Sequence, residues 1–299
     1  MTVHTVQAPL PPALAAWAEG VVGPVRSVRD VSRPDAASRV WELSSDTGRT
    51  FLKVAPTPAF YARETRAYRE AAPALERDSV PRLLETDAQH RALLLSAVPG
   101  RPVGALALTP GRRRALHRRA GAWLRRFHGD ARDLTARDRA EAAVEVERAV
   151  LDAEAHLARA GDLIGPAERD VVRRHAAVLA LLGPLPAGFV HGDFRERNWL
   201  YDTAAGALAV VGLERARPHA AVFDVVRLAC GPWARWPELR TAFLDGFGRG
   251  LTGEEEAALR CLSALDAASA IALGLLHQDP QVVARGRTTL ARLLEGNAV

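Results

Sequence analysis

Apolar and polar positions alternate through much of the first hundred residues, then recur at helical spacing. Alternation over 25–31 (VRSVRDV), 38–44 (SRVWELS) and 50–55 (TFLKVA) predicts strands, because a strand turns successive side chains to opposite faces. Ser-Arg-Pro-Asp and Ser-Asp-Thr-Gly stretches separate them as turns. A short helix is predicted at 11–20 and a longer one at 59–77, followed by strands at 81–86 and 91–97. Pro99-Gly100 then interrupts the pattern and predicts a hinge. Beyond it, helical spacing predicts helices at 110–129, 134–160, 166–182, 220–229, 235–249, 253–276 and 279–295. Between the two helical groups, 188–212 (GFVHGDFRERNWLYDTAAGALAVVG) reads as a strand-like island. The expected class is α+β and bilobal: a small mixed N-lobe with an antiparallel sheet over 1–98, and a larger, mainly helical C-lobe over 99–299.

Composition narrows the picture. With 48% apolar and 25% charged residues, the chain has an ordinary globular mix, which excludes wholesale disorder. Its two cysteines, Cys230 and Cys261, cannot build a disulfide framework and lack the close pairing of a zinc site. That favours a reducing interior, the cytoplasm. The start, MTVHTVQAPLPPALAAW, has no basic stretch before an apolar run and carries three prolines, unlike a signal peptide. No apolar run is expected to reach the ~20 residues of a membrane span. The net charge of +5 is small for 299 residues and is no nucleic-acid signature. The densest basic stretch, 112–126 (RRRALHRRAGAWLRR), has two readings: an amphipathic helix with a solvated basic back, or a docking face for an acidic partner.

Of 40 basic residues only Lys53 is a lysine, and Asn198 and Asn297 are the only asparagines. A lysine that persists in so arginine-rich a chain suggests a task for a compact ammonium that a planar guanidinium does not do. The island supplies a second candidate, His191-Gly192-Asp193 followed after four residues by Asn198. Phosphoryl transfer asks a protein for positioning and charge neutralisation. A carboxylate can orient the acceptor hydroxyl and take its proton, and a nearby carboxamide can bind a metal. Eleven residues after Lys53, Glu64 opens a helical stretch. A strand lysine held by a helix glutamate and reaching ATP phosphates is the kinase arrangement. Other chemistries lack their motifs: there is no Gly-x4-Gly-Lys loop, no His-Glu-x-x-His and no Gly-x-Ser-x-Gly, and GFGRG at 246–250 reads as a helix end.

Taken together, FVHGDFRERNWLYD, ALAVVGLERARPHAAVFDVVRL, LLLSAVPGRPV and TFLKVA resemble the catalytic loop, metal loop, hinge and lysine strand of one family. It is the aminoglycoside phosphotransferase or choline-kinase-like branch of the protein-kinase-like fold. The resemblance implies a nucleotide-binding N-lobe and a C-lobe with the catalytic loop and acceptor site. It implies Asp193 as catalytic base and Asn198 as a catalytic-loop metal ligand. Lys53 would contact the phosphates of ATP or GTP, with Glu64 as its partner. The backbone from Ser96 to Val98 would hold the base, and Asp224 would brace the loop. Mg²⁺ is the implied metal.

The chain departs from that pattern at Gly212, where the family has the aspartate that holds Mg²⁺. Mg²⁺ is usually held by one or two carboxylates plus phosphates, so the departure predicts a weakened or rearranged metal site. Glu214, two residues on, would face the same side of an extended segment and is a candidate metal ligand. The alternative is a descendant that no longer transfers phosphate. The segment DVSRPDAAS, where a phosphate-covering loop is expected, contains no glycine. From residue 214 onward ten arginines balance ten acidic residues, which advertises no site for a polycation. The acceptor could be a hydroxyl on a sugar, a nucleoside, an antibiotic or a peptide. Trp233 and Trp236 either line an acceptor cleft or seat one helix on another. His117 and His128 are expected to be structural.

Overall fold

Alternation and helical spacing map onto elements as follows in the computed structural model, which describes residues 9–33, 37–129 and 134–296. In chain order the elements are helix α1 (Pro12–Val22), strands β1 (Val25–Asp30), β2 (Arg39–Ser45) and β3 (Gly48–Val54), and helix α2 (Pro58–Arg66). Strands β4 (Leu83–Asp87), β5 (Ala92–Ser96) and β6 (Arg101–Pro102) follow, then helices α3 (Pro110–His128), α4 (Ala136–Ala160) and α5 (Pro166–Leu181). Strands β7 (Ala187–Val190), β8 (Trp199–Asp202), β9 (Ala207–Val210) and β10 (Arg217–Ala220) lead to helices α6 (Val226–Leu228), α7 (Pro237–Phe247), α8 (Gly253–Leu276) and α9 (Pro280–Leu294). The first eight residues of the N-terminal stretch, and residues 34–36 of DVSRPDAAS, lie outside the described residues.

One compact unit comprises the chain up to Ala105 together with Arg197–Ala216. Its antiparallel five-stranded sheet runs in the order β1-β2-β3-β5-β4. One face packs Trp41, Leu43, Leu52, Ala92 and Leu94 against Leu14, Ala18 and Val22 of α1. Each large side chain so buried stabilises the fold by about 1.5–3 kcal/mol. Because Leu52 points to that core, its neighbour Lys53 points to the other face. Lys53 sits on the central strand, paired across to Val40 and Leu93. The helix expected over 59–77 keeps α-helical bonding only to Arg66 and continues as a wide turn over Ala67–Ala71 and a 3₁₀ turn over Ala72–Ala74. Pro73 has no N–H to continue an α-helical ladder.

Strand β8 pairs with both β6 and β9 in a second sheet of this unit. Gly100, read as a hinge residue, lies inside the unit at φ 104°, and a side chain there would meet the Tyr201 carbonyl carbon at 2.8 Å. Only a glycine permits that approach. The two-residue β6 was not predicted, because Pro102 disguises it.

The other unit comprises Leu106–Glu196 and Arg217–Val299. Thr109, Thr135 and Thr252 cap the first turns of α3, α4 and α8 with their hydroxyls. α3 buries Leu116, Ala120, Trp123, Leu124 and Phe127 while Arg112, Arg114, Arg118, Arg119, Arg125 and Arg126 are exposed, so the basic stretch is an amphipathic helix with a solvated back. Where α3 crosses α7, added side-chain carbons at Gly121 and Gly246 would sit 2.0 Å from the Phe243 oxygen and 1.8 Å from the Arg118 oxygen. The backbones therefore touch.

The sequence expectation about apolar runs is corrected by α8. It carries an 18-residue window of mean hydropathy 1.6, long and apolar enough to cross a membrane by length and composition, yet 67% of that window is buried inside the fold. Strand β10 pairs with β7 and was missed because Pro218 breaks its pattern. The helix predicted over 220–229 is instead a 3₁₀ turn over Ala221–Val225, the short α6, and a wide turn in which Gly231 leaves helical geometry.

Candidate active site

The sequence-derived residues divide between the units. Lys53, Glu64, Ser96, Val98, Asn198 and Glu214 belong to the first and Asp193 to the second.

In the first unit, Thr57 caps α2 and the helix presents Glu64 to the face of β3 that carries Lys53. The Lys53 ammonium donates to Glu64 Oε1 at 2.8 Å and to Glu214 Oε2 at 2.7 Å. Lys53 is buried and Glu64 fully so. Glu64 Oε2 is buried without a hydrogen-bond partner. Burial disfavours the Lys53 ammonium, but the two carboxylates outweigh it and raise its pKa. Burial, joined by the charge of Glu214 and opposed by Lys53, pushes Glu64 up to about 7. Two carboxylates thus compete for one ammonium, and a phosphate oxygen could displace the half-buried Glu214 more readily than the enclosed Glu64.

Glu214 follows Gly212, which takes the left-handed conformation at φ 87°, ψ 56° and opens a 3₁₀ turn over Leu213–Arg215. The Val211 N–H donates to the Asn198 carbonyl at 3.0 Å and ties this turn to the end of the candidate loop. A side-chain carbon at position 212 would lie 3.5 Å from both Asn198 Oδ1 and Glu214 Oε2. Position 212 therefore borders both candidate metal ligands.

Those ligands are engaged by bases. Asn198 Oδ1 accepts from Arg33 Nη1 at 3.0 Å, and Glu214 is paired with Lys53. Among the described residues no group of three or more His, Cys, Asp or Glu side chains could hold a metal. With Asn198 and Glu214 each turned to a base, the donor set as it stands is not arranged around a cation such as Mg²⁺. Arg33 was read only as part of a turn; its membership in this cluster joins positions 165 residues apart, which local sequence does not reveal.

At the expected base-binding segment, Ser96 is tied into the sheet edge. Its N–H donates to the Arg82 carbonyl at 2.9 Å, and its hydroxyl accepts from the Arg82 N–H at 2.9 Å. Val98 is buried.

In the second unit, β7 leads into His191-Gly192-Asp193. Asp224 accepts from the His191 N–H at 2.7 Å and the Gly192 N–H at 2.8 Å, and lies 2.9 Å from His128 Nε2. Burial works against ionising Asp224, but these hydrogen bonds and the charges of His128 and His191 hold its pKa below the usual range. Gly192 takes φ 78°, which lets both amides face one carboxylate. Asp224 thus braces the loop. His128, on the buried face of α3, supports that brace, a role that follows from its place beside Asp224. Phe194 stacks on Trp123 with centroids 5.7 Å apart and sets the loop on the core.

Asp193 is 5% exposed, and Arg195 Nε lies 2.7 Å from its Oδ1. Arg195 lies inside FVHGDFRERNWLYD, where spacing alone gives it no role. Trp233 is buried against Phe243, a structural contact. Trp236 is half-buried, with the guanidinium carbons of Arg113 and Arg235 each 4.6 Å from its ring centroid. His117 bonds Glu196 at 3.1 Å and is buried, as a structural role requires.

A model of the phosphotransferase enzyme family, APH, matches residues 31–281. No curated protein matches the chain in sequence. A thermostable mutant of aminoglycoside phosphotransferase APH(4)-Ia, solved with ADP and hygromycin B, superposes with TM-score 0.69 at 14% identity, covering 96% of this chain and 99% of that one. Macrolide 2'-phosphotransferase MphH from Brachybacterium faecium gives TM-score 0.63 at 19% identity, covering 93% and 97%. A choline/ethanolamine kinase family protein from Mesorhizobium loti gives 0.64 at 20%, covering 94% and 89%. At such identities the structural likeness fixes the fold alone, α+β and protein-kinase-like.

Proposed function

Because the chain belongs to the phosphotransferase enzyme family, we propose that it transfers the terminal phosphoryl group of ATP or GTP to a hydroxyl of a small molecule. The observation that carries this reading is the sole lysine of the chain, buried on a sheet and held by Glu64 and Glu214. A buried ammonium with two carboxylates is a poor way to stabilise a sheet and a good way to keep a phosphate ligand poised. Residues 1–98 would supply the nucleotide side, with the base against Ser96–Val98. Residues 99–299 would supply the acceptor side.

In the reaction, Lys53 binds phosphate oxygens as Glu214 releases it, and Glu64 retains the ammonium. Asp193, fixed by Arg195, accepts the proton of the acceptor hydroxyl. The hydroxyl oxygen bonds the terminal phosphorus while the bridging phosphorus–oxygen bond breaks, and the nucleoside diphosphate departs with the electron pair. Asn198 and the amides clamped by Asp224 keep the loop in place.

The neighbours that bind hygromycin B or are named for macrolides suggest sugar-bearing acceptors. The two guanidiniums on Trp236 argue against a polycation. A peptide hydroxyl is a less favoured acceptor, and neither a membrane nor a nucleic-acid partner is proposed. Free thiols at Cys230 and Cys261 agree with a cytoplasmic setting.

Nucleotide consumption measured over a panel of sugars, nucleosides and antibiotics tests the proposal. Asp193→Asn should lower turnover by about 100-fold or more while nucleotide still binds. Unchanged turnover in that variant would overturn the role of Asp193. Gly212 favours a second reading, a nucleotide binder without transfer, which predicts bound ATP and no consumption with any acceptor.

A further inference from the structure

We infer that Arg33 takes the place of the metal ion, so that the nucleotide polyphosphate is bound by guanidinium and ammonium without Mg²⁺. The inference rests on reading the Lys53 cluster as a nucleotide-phosphate site. Its first support is the contact itself: Arg33 Nη1 lies 3.0 Å from Asn198 Oδ1, the oxygen that a metal would take.

Charge gives the second support. An aspartate holding a divalent cation adds one net positive charge to a phosphate site. A glycine beside a guanidinium adds the same. A glycine at 212 and a guanidinium at Asn198 are therefore complementary in charge. An aspartate at 212 would border Asn198 Oδ1 at 3.5 Å and compete for the Arg33 guanidinium. Without one, Arg33 meets a neutral carboxamide, which binds it less strongly than phosphate does.

The third support is how Arg33 is mounted. The chain just before it is fastened to the sheet. The Val31 N–H donates to the Val40 carbonyl at 2.9 Å, and the Val40 N–H donates to Ser32 Oγ at 2.9 Å. The Ser32 N–H donates to Asp30 Oδ1 at 2.8 Å. Arg33 thus extends from a fixed strand end, half-buried, and its reach is set by the sheet. A guanidinium stays charged at every working pH and carries five N–H donors in a fork that matches phosphate oxygens. That is the chemistry needed to hold a di- or triphosphate where no carboxylate-bound cation does.

Calorimetric titration of the full chain with ATP, with excess Mg²⁺ or with excess EDTA, tests this, with inorganic triphosphate and AMP as further probes. The expected result is ATP affinity that differs by less than about threefold between the two conditions, triphosphate binding, and weak AMP binding. Arg33→Ala should weaken ATP binding in EDTA by about tenfold or more, the loss of one charge-assisted phosphate contact. Arg33→Lys should recover part of it, which separates lost charge from a misfolded variant. Arg33→Ala combined with Gly212→Asp should bind ATP again only with Mg²⁺. ATP binding that requires Mg²⁺ and survives Arg33→Ala overturns the inference and leaves the nucleotide site standing. No binding of ATP or triphosphate in either condition overturns both.

Discussion

Gly121→Ala places one methyl group where α3 meets α7. On the present backbone that carbon would lie 2.0 Å from the Phe243 oxygen and 2.8 Å from the Phe247 nitrogen. Carbon and oxygen rest about 3.3 Å apart even in favourable contact, so the helices must separate by roughly 1 Å. Both obstacles are backbone atoms, and no rotamer change relieves them. Overpacking costs about 1–3 kcal/mol, here at the upper end because backbone must move, while the helix preference for alanine returns about 1, so the net loss is about 2 kcal/mol. With an unfolding entropy near 2.1 cal/mol/K per residue over 299 residues, a 2 kcal/mol loss lowers Tm by about 3 °C. Scanning calorimetry measures it. Gly111→Ala is the control: it lies on the same helix with no atom within 4 Å of the added carbon, and its Tm should match or slightly exceed that of the parent. Gly246→Ala should resemble Gly121→Ala, and the double variant should lose less than the sum, because both open one interface. A Gly121→Ala melt within about 1 °C of the control would refute the close crossing. Because α3 also carries Trp123 beneath Phe194 and His128 beside Asp224, turnover should fall with the melt.

Three further outcomes follow from the site. Glu64 titrates near 7 in the fold against a usual 4.5, so the folded state holds the extra proton; its contribution to stability is present below about 4.5 and lost as pH rises through 7. Denaturation of the parent and Glu64→Gln across that window should show the parent losing up to about 3 kcal/mol relative to the variant, and parallel profiles would refute the buried carboxyl. Asp224→Asn leaves an amide facing one of two buried N–H groups and should cost about 1–3 kcal/mol, with turnover falling by about tenfold or more; a stable, fully active variant would contradict the brace. Burial pushes both Cys230 and Cys261 up to about 11, so alkylation of the native protein at pH 8 should be slow and should become fast on unfolding, as mass spectrometry reads directly.

Local pattern carried most of the fold. Residues 253–276 of the sequence match α8 end to end because Thr252 caps it and apolar spacing fills it. The Lys53–Glu64 pair was legible because a strand followed by a helix brings such a pair together with little intervening chain. Asp224 as a brace came from motif resemblance, and its carboxylate does clamp the loop. What escaped was long-range or disguised. Glu214 was a candidate metal ligand, and its pairing with Lys53 was not foreseen, because a buried ammonium exerts a pull that spacing does not encode. Arg33 hid among dozens of arginines in a turn. Strand β10 hid behind Pro218, which is tolerated since, among the described residues, β7 is its only sheet partner.

The discontinuous make-up of the first unit has an evolutionary corollary. A gene fragment ending at Ala105 would encode the five-stranded sheet and the lysine but omit Asn198, Gly212 and Glu214. Shuffling such N-terminal fragments among relatives would leave Lys53 facing a foreign carboxylate and Arg33 a foreign carboxamide. The charge partners of this unit are therefore carried in two separated exchange blocks, and chimaeras should fold and function only when both come from the same parent.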